Sequence, residues 1–178
     1  INARAEITDF WAMVFNPSSV DRLSHVLSGC WLAGAFLIIS VSAYYLLRDR
    51  HIRFAKASIK IALVVVMIAS LFQLFTGHRS AVGVSKNQPA KLAAMEAVFD
   101  DQTNAPLYLF GWVDSENQKV NFGVALPGML SYLIGFDTNT KVTGLNSFKE
   151  EDRPPVNIVF QSYHLMVAIG FTLIVISL

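Results

Sequence analysis

Three stretches of the chain carry no charge: residues 26–47, 61–76 and 157–178. The first and third are each twenty-two residues long. The second has sixteen, and reaches about twenty when Lys60 extends its aliphatic stem toward the headgroups. About 20 apolar residues cross the hydrocarbon of a bilayer. The pattern therefore predicts spanning helices at 21–47, 61–76 and 157–178, rather than buried helices of a large soluble protein. Between the first two lie residues 48–60, with Arg48, Arg50, Arg53, Lys56 and Lys60. Residues 77–156 hold seven bases against nine acids. The excess of bases in the short segment predicts that it is cytoplasmic, with residues 1–20 and 77–156 outside. Phe10, Trp11 and Phe15 suit an outer interfacial segment, and Asn16-Pro17-Ser18-Ser19 reads as the turn into the first helix.

The long outer segment has its own pattern. Residues 85–99 (SKNQPAKLAAMEAVF) predict an amphipathic helix that Gln88-Pro89 enters, with Leu92, Met95 and Phe99 on a shared face. LYLFGW, the polar DSENQK and VNFGVAL predict a short hairpin. Pro154-Pro155 delivers the chain to the third helix. The expected fold is all-α and transmembrane: three helices of a larger bundle plus an extracytoplasmic loop. The start at Ile1 and the stop at Leu178, inside an apolar run, read as part of a longer polypeptide.

Composition narrows the function. Of 178 residues 53% are hydrophobic and 15% charged, against about a quarter charged in soluble domains. The net charge of +1 excludes an electrostatic nucleic-acid binder, which needs a basic face. One cysteine, Cys30, excludes a disulfide scaffold, a Cys-rich zinc site and an iron–sulfur cluster held by this chain alone. No internal repeat, Gly-rich phosphate loop, Ser-His-Asp order or HExxH is present.

Candidate chemistry lies at the histidines. His51 sits in the basic segment and reads as solvated. His25 begins the first helix on the outer side, where an ionisable residue invites a functional reading beside the plainer one of a hydrated interfacial histidine. His164 and Met166 enter the third helix at a similar depth. His plus Met on two helices can hold a haem iron, as can two histidines. His164 and Met166 lie two apart, about 200° around the helix, so both cannot face one iron. Spacing leaves His25/His164 and His25/Met166 open, along with simple packing. Ser28, Gly29, Ala33, Gly34 and Ala35 would clear space for either a macrocycle or a neighbouring helix. Lys91 and Glu96, five apart, diverge by about 140° and make no ideal ion pair.

Three separated segments carry a family resemblance. GHRSAVGVSKNQPAKLAAMEAVF resembles the start of the quinol-binding loop of subunit I of cytochrome bd-type quinol oxidases, QPAKLAAMEA being its most specific piece. NPSSVDRLSHVLSGCWLAGAFLIISVSAYYLLRDRH resembles that subunit's fifth helix and FQSYHLMVAIGF its seventh. The resemblance runs over nearly the whole chain, in order. It implies that His25 and Met166 are the iron ligands of a low-spin haem b (b558-like), and that Lys91 and Glu96 bind and oxidise quinol. It further implies that haem b595 and haem d, or a third haem b, take their ligands outside this stretch. The implied partners are a second large subunit (subunit II), a small single-helix subunit, membrane lipid and quinol. The implied location is the prokaryotic inner membrane, with the long loop facing the periplasm.

Two departures stand out. Many family members carry Arg where this chain has His164, which bears on how a haem propionate is neutralised. The loop often opens Gly-Asp, and here it opens Gly77-His78. Its length resembles the short-loop branch. The rival readings are the b-haem membrane anchor of a quinone-linked dehydrogenase, which commonly uses two histidines, and a cofactor-free transporter or receptor fragment. For the latter, the second helix offers only Ser70 and Gln73 as mid-depth polar groups.

Overall fold

A computed structural model describes residues 6–16 and 18–177. The chain divides into two compact units, with a boundary between Ser80 and Ala81. In the first unit α1 (Phe10–Val14) is capped by Asp9, whose carboxylate accepts from Ala12 N at 3.0 Å. Its aromatic side chains Phe10, Trp11 and Phe15 are exposed. Asn16 accepts from the backbone N–H groups of Ser18 and Ser19, forming the turn that opens α2 (Ser19–Leu47). Pro17, which belongs to the same predicted turn, lies outside the described residues.

Four residues, Arg48 to His51, connect α2 to α3 (Ile52–Asn87). Asp49 and His51 take positive φ to make this tight turn. The pair is held by small and branched residues: Leu32 and Ala35 pack with Ala62, Val66 and Ala69. Close approach through small residues is the usual way helices associate where lipid competes for apolar contact.

The structure corrects the bounds drawn from charge. Residues 48–60 are not a loop, because Arg53, Lys56 and Lys60 already lie on α3. Long basic side chains are good helix formers and sit at a helix end without interrupting it. Residues 77–87 are likewise helical. The helix predicted within 85–99 does enter at Gln88-Pro89, but it is shorter, α4 (Pro89–Met95), and residues 85–87 belong to the end of α3. The break falls at Gln88, which leaves the helical region (φ −142°, ψ 60°), because the residue before a proline is disfavoured in the α region.

The second unit is built on the long segment between α3 and α6, predicted to lie outside and called the outer unit on that expectation. After α4 come β1 (Leu107–Asp114) and β2 (Lys119–Leu126), an antiparallel pair. A further helix, α5 (Met129–Gly135), follows, which the apolar pattern did not reveal. The chain then passes through two short 3₁₀ turns to α6 (Val156–Ser177). Leu92, Ala93, Ala94, Val98, Ala105, Leu130, Val142 and Leu145 form the loop's core. Around it, Asp101 accepts from Gly144 N at 2.8 Å and Ser147 Oγ at 2.6 Å, and pairs with Lys141 at 2.8 Å. Lys141, Ser147 and Gly144 together hold the Asp101 carboxyl well below the usual carboxylate range.

The hairpin is fastened to α6 by a row of side chains. Ser115 Oγ donates to Asn157 Oδ1 at 2.6 Å, Gln161 Nε2 donates to Gly111 O at 2.8 Å, and His164 Nε2 meets Tyr108 O at 2.9 Å. Positions 157, 161 and 164 share one helix face, and β1 runs along it in the opposite direction. The pairing of β1 with β2 shifts register between Tyr108 and Phe110 and again between Phe110 and Trp112. Bulges of this kind free strand carbonyls for other partners.

A Cβ at Gly144 would collide with the backbone of Phe99 and Asp100, which cannot yield as a side-chain tip would. Gly144→Ala is expected to destabilise the outer unit by about 1–3 kcal/mol. Thermal unfolding and limited proteolysis of the loop should both report it; an unchanged melting curve and cleavage rate would refute the contact.

Candidate functional site

His25 lies on α2, and the register of the helix pair determines its surroundings. It stands 22 residues before the end of α2, and the position 22 residues past the start of α3 falls between Gln73 and Thr76. Both reach it. His25 Nδ1 is 3.0 Å from Thr76 Oγ1, and His25 Nε2 is 3.1 Å from Gln73 Nε2. The Ser28 hydroxyl, one turn along α2, lies between two acceptors, His25 O at 2.9 Å on its own helix and Gln73 Oε1. Gly77 lies beside the ring, where an added Cβ would be in ordinary contact with Cε1 at 3.5 Å. His25 is thus bound by protein groups, and not by water alone as its interfacial depth allowed.

In the second unit, α4 separates Lys91 from Glu96. Lys91 is exposed, whereas Glu96 is 1% exposed. The cause is the way α4 ends. Glu96 is the C-cap, Ala97 takes the left-handed conformation at φ 52°, and Val98 N–H bonds back to Ala93 O at 2.9 Å. This is a Schellman closure, with Val98 and Ala93 both in the loop core. A position usually given to glycine here carries alanine, and the turn directs the Glu96 side chain inward. Tyr163 of α6 hydrogen-bonds the carboxyl, and Oε2 is buried without a partner. Burial pushes the Glu96 carboxyl up to about 7, and the Tyr163 hydrogen bond restrains that rise.

His164 is engaged at both ring nitrogens by backbone carbonyls, Phe160 O and Tyr108 O, each at 2.9 Å. Its ring stacks on Phe160 at 3.9 Å between centroids. No ring lone pair is left facing a metal, so the bis-histidine alternative finds no support in this geometry. Met166 is 55% exposed on α6. Among the described residues no group of three or more His, Cys, Asp or Glu gathers to hold a metal ion. A cleft of about 530 Å³, lined by residues that include Lys86, Leu92, Ile134 and Lys141, belongs to the outer unit; neither Lys91 nor Glu96 lines it.

The family described as cytochrome bd terminal oxidase subunit I matches residues 1–178. The chain belongs to that family. It is 33% identical over 99% of its length to cytochrome bd ubiquinol oxidase subunit 1 of Bacillus subtilis, of which it spans 40%. It is also 33% identical, over 85% of its length, to cytochrome bd-II ubiquinol oxidase subunit 1 of Escherichia coli, of which it spans 30%. The solved bd oxidase of Geobacillus thermodenitrificans superposes with a TM-score of 0.85 at 31% identity, covering 95% of this chain and 39% of that one. The three apolar helices and this membership make it an integral membrane protein. The transporter and dehydrogenase-anchor readings give way to it.

Membership in the bd family implies haem. At His25 both ring nitrogens are already engaged, Nδ1 by Thr76 and Nε2 by the Gln73 amide, so the ring could ligate iron only with the Gln73 side chain turned away. Two participants escaped the sequence reading. Tyr163 gave no signal, since a tyrosine in an apolar helix reads as packing. In the sequence Thr76 is only the end of a charge-free run, although counting outward from the α2–α3 turn places it level with His25.

Infrared difference spectra should show the Glu96 C=O stretch vanish as pH rises through about 7. Tyr163→Phe removes a hydrogen bond to the charged form and should move that transition to higher pH. A band that vanishes near the ordinary carboxylate range would overturn the burial argument.

Proposed function

We propose that this chain is the quinol-oxidising portion of a quinol:dioxygen oxidoreductase that reduces dioxygen to water. The observation that carries the proposal is the buried Glu96 carboxyl, pushed up to about 7 in the outer segment of a bd-family subunit I. A base is most effective when its pKa lies near the working pH. Glu96 as carboxylate accepts a proton from a quinol hydroxyl and, titrating near neutrality, passes it on. Lys91, exposed on the other face of α4, donates a hydrogen bond to a quinol oxygen. The two have separate tasks in this reading, orientation for Lys91 and proton acceptance for Glu96.

In the same reading His25 and Met166 are the residues that would hold a low-spin haem b. When bound, that group supplies a one-electron acceptor, and a thioether ligand raises its potential relative to two histidines. His164 is not a ligand; it stands where many relatives carry Arg and fastens β1 to α6. The oxygen-reducing haems (haem b595 with haem d or a third haem b) take their ligands from the parts of the longer relatives that this chain does not span. The basic turn between α2 and α3 lies in the cytoplasm and the loop outside, in a prokaryotic inner membrane. Subunit II and a small single-helix subunit complete the assembly.

In the full complex, Glu96→Gln should lower quinol oxidase kcat by about 10²-fold or more while the haem spectra remain. The wild-type rate should rise with pH through about 7, because the acid form cannot accept the proton. A Gln variant of normal rate would remove Glu96 from the mechanism.

Reduced-minus-oxidised spectra test the ligand pair separately. His25→Ala and Met166→Leu should each lose the low-spin b-haem signal and keep the high-spin ones. Full retention in both would leave them as packing residues.

A further inference from the structure

We infer that Tyr163 is a further catalytic residue: its hydroxyl stands between the quinol and Glu96 and relays the proton, taking hydrogen from a quinol hydroxyl as it gives its own to the Glu96 carboxylate. The inference rests on Glu96 being the proton acceptor for quinol, and adds to that reading the group that touches the substrate.

Glu96 offers a quinol almost no surface. It is 1% exposed, and the groups that seal it belong to this chain. Beside it Ala97, Val113 and Phe160 form a buried cluster, with Tyr108 and Val120 of the hairpin packed against them. Tyr163 is the side chain bonded to the carboxyl, and since Oε2 has no partner the bond falls on Oε1. Unlike Glu96, Tyr163 is only half-buried. It shares a face of α6 with Phe160, which is fully buried, while Ser162 and Met166 on either side of it are exposed. Its ring therefore reaches from the open side of α6 to the sealed carboxyl. Among the described residues, the other titratable groups on the packed elements make no such bridge. His164 has both ring nitrogens on carbonyls, Tyr108 sets its ring against Phe160, and Asp114 is bonded to Asn117 in the turn. Lys91 and Lys119 are exposed.

A phenol suits the relay because its oxygen both donates and accepts. While Glu96 is ionised, Tyr163 donates to it, and the Oη lone pairs are left for a quinol O–H. In the step the quinol O–H bond breaks as a new Oη–H bond forms, and the old Oη–H bond breaks as an O–H bond forms on Glu96. Tyr163 carries one hydrogen before and after, so no tyrosinate is made. The quinol leaves as its monoanion and Glu96 as the neutral acid. Only protons move in this step. The arrangement keeps the base dry while a neutral group makes the contact with substrate.

The test uses the full oxidase complex with Tyr163→Phe and Glu96→Gln, and follows oxygen uptake with short-chain ubiquinol or menaquinol, whichever turns over faster. Tyr163→Phe keeps the ring and removes only the relay oxygen, so the haem spectra should be retained. It should lower kcat by about 10²-fold. That loss should persist at pH values well above the Glu96 transition, where the carboxylate is formed in both proteins. Wild-type kcat in mixtures of H2O and D2O should follow a curve, as two protons in flight require. If the Tyr163→Phe rate meets wild type at high pH, the tyrosine only tunes Glu96; the relay is overturned and Glu96 stands. A linear isotope dependence would also overturn it, since one proton would then be moving. Should the infrared band of Glu96 fall to the ordinary carboxylate range in Tyr163→Phe, the tyrosine merely seals the carboxyl and the relay is again overturned. A normal rate in Glu96→Gln removes the base itself, and this inference with it.

Discussion

A polar side chain on a helix in lipid has no water to turn to, and its partner must come from another element at the same depth. In the first unit that constraint acts through the four-residue turn between α2 and α3. The turn fixes which residues of the two helices are level with one another. His25, Ser28, Gln73 and Thr76 are the polar groups that this register brings together, and each uses the others to satisfy its hydrogen bonds. Small residues below them, Ala35, Ala62 and Ala69, let the helices approach closely enough for those bonds to form. Had the turn been one residue longer, the facing position would rotate by about 100° and the network would be lost.

The outer unit solves a different problem. It keeps a carboxyl away from water without the bulk of a large domain around it. A short helix, closed by a left-handed alanine, aims Glu96 at α6 while Lys91 stays on the wet side. The remaining segments fit round this turn: Leu130 and Leu145 close the core beneath α4, and the Asp101 cluster ties the two ends of the intervening chain. Ala97 is one of several non-glycine residues here at positive φ. Its conformation costs more than glycine would, and that cost is borne one residue from the group whose ionisation the fold has shifted.

Much of this was legible in the sequence because the bilayer imposes a length rule that soluble cores do not. The three charge-free runs gave the helices, and the turn residues of DSENQK gave the hairpin. The ends of α3 were misjudged for a physical reason: charge marks where the apolar environment stops, not where helical hydrogen bonding stops. Arg53 and Lys86 are both helical and both outside the apolar run. The start of α4 was legible, since Gln88-Pro89 marks a helix entry and Gln88 is its N-cap. Glu96 illustrates the opposite limit. Its spacing from Lys91 showed that the two diverge, but which of them was buried depended on Ala97 and on Tyr163, sixty-seven residues further along.

The row of Asn157, Gln161 and His164 along α6 gives the outer unit a fixed and a free end. Tyr108, Gly111 and Ser115 are held on the helix, while Glu116 and Asn117 at the tip are exposed and Gln118 is tied back to Asn146. Chain inserted at that tip would lengthen the loop at an entropic cost that grows only with the logarithm of its size. It would leave α4, Ala97 and Glu96 where they are. The architecture therefore separates a part of the loop that evolution can enlarge freely from a part whose geometry the chemistry requires.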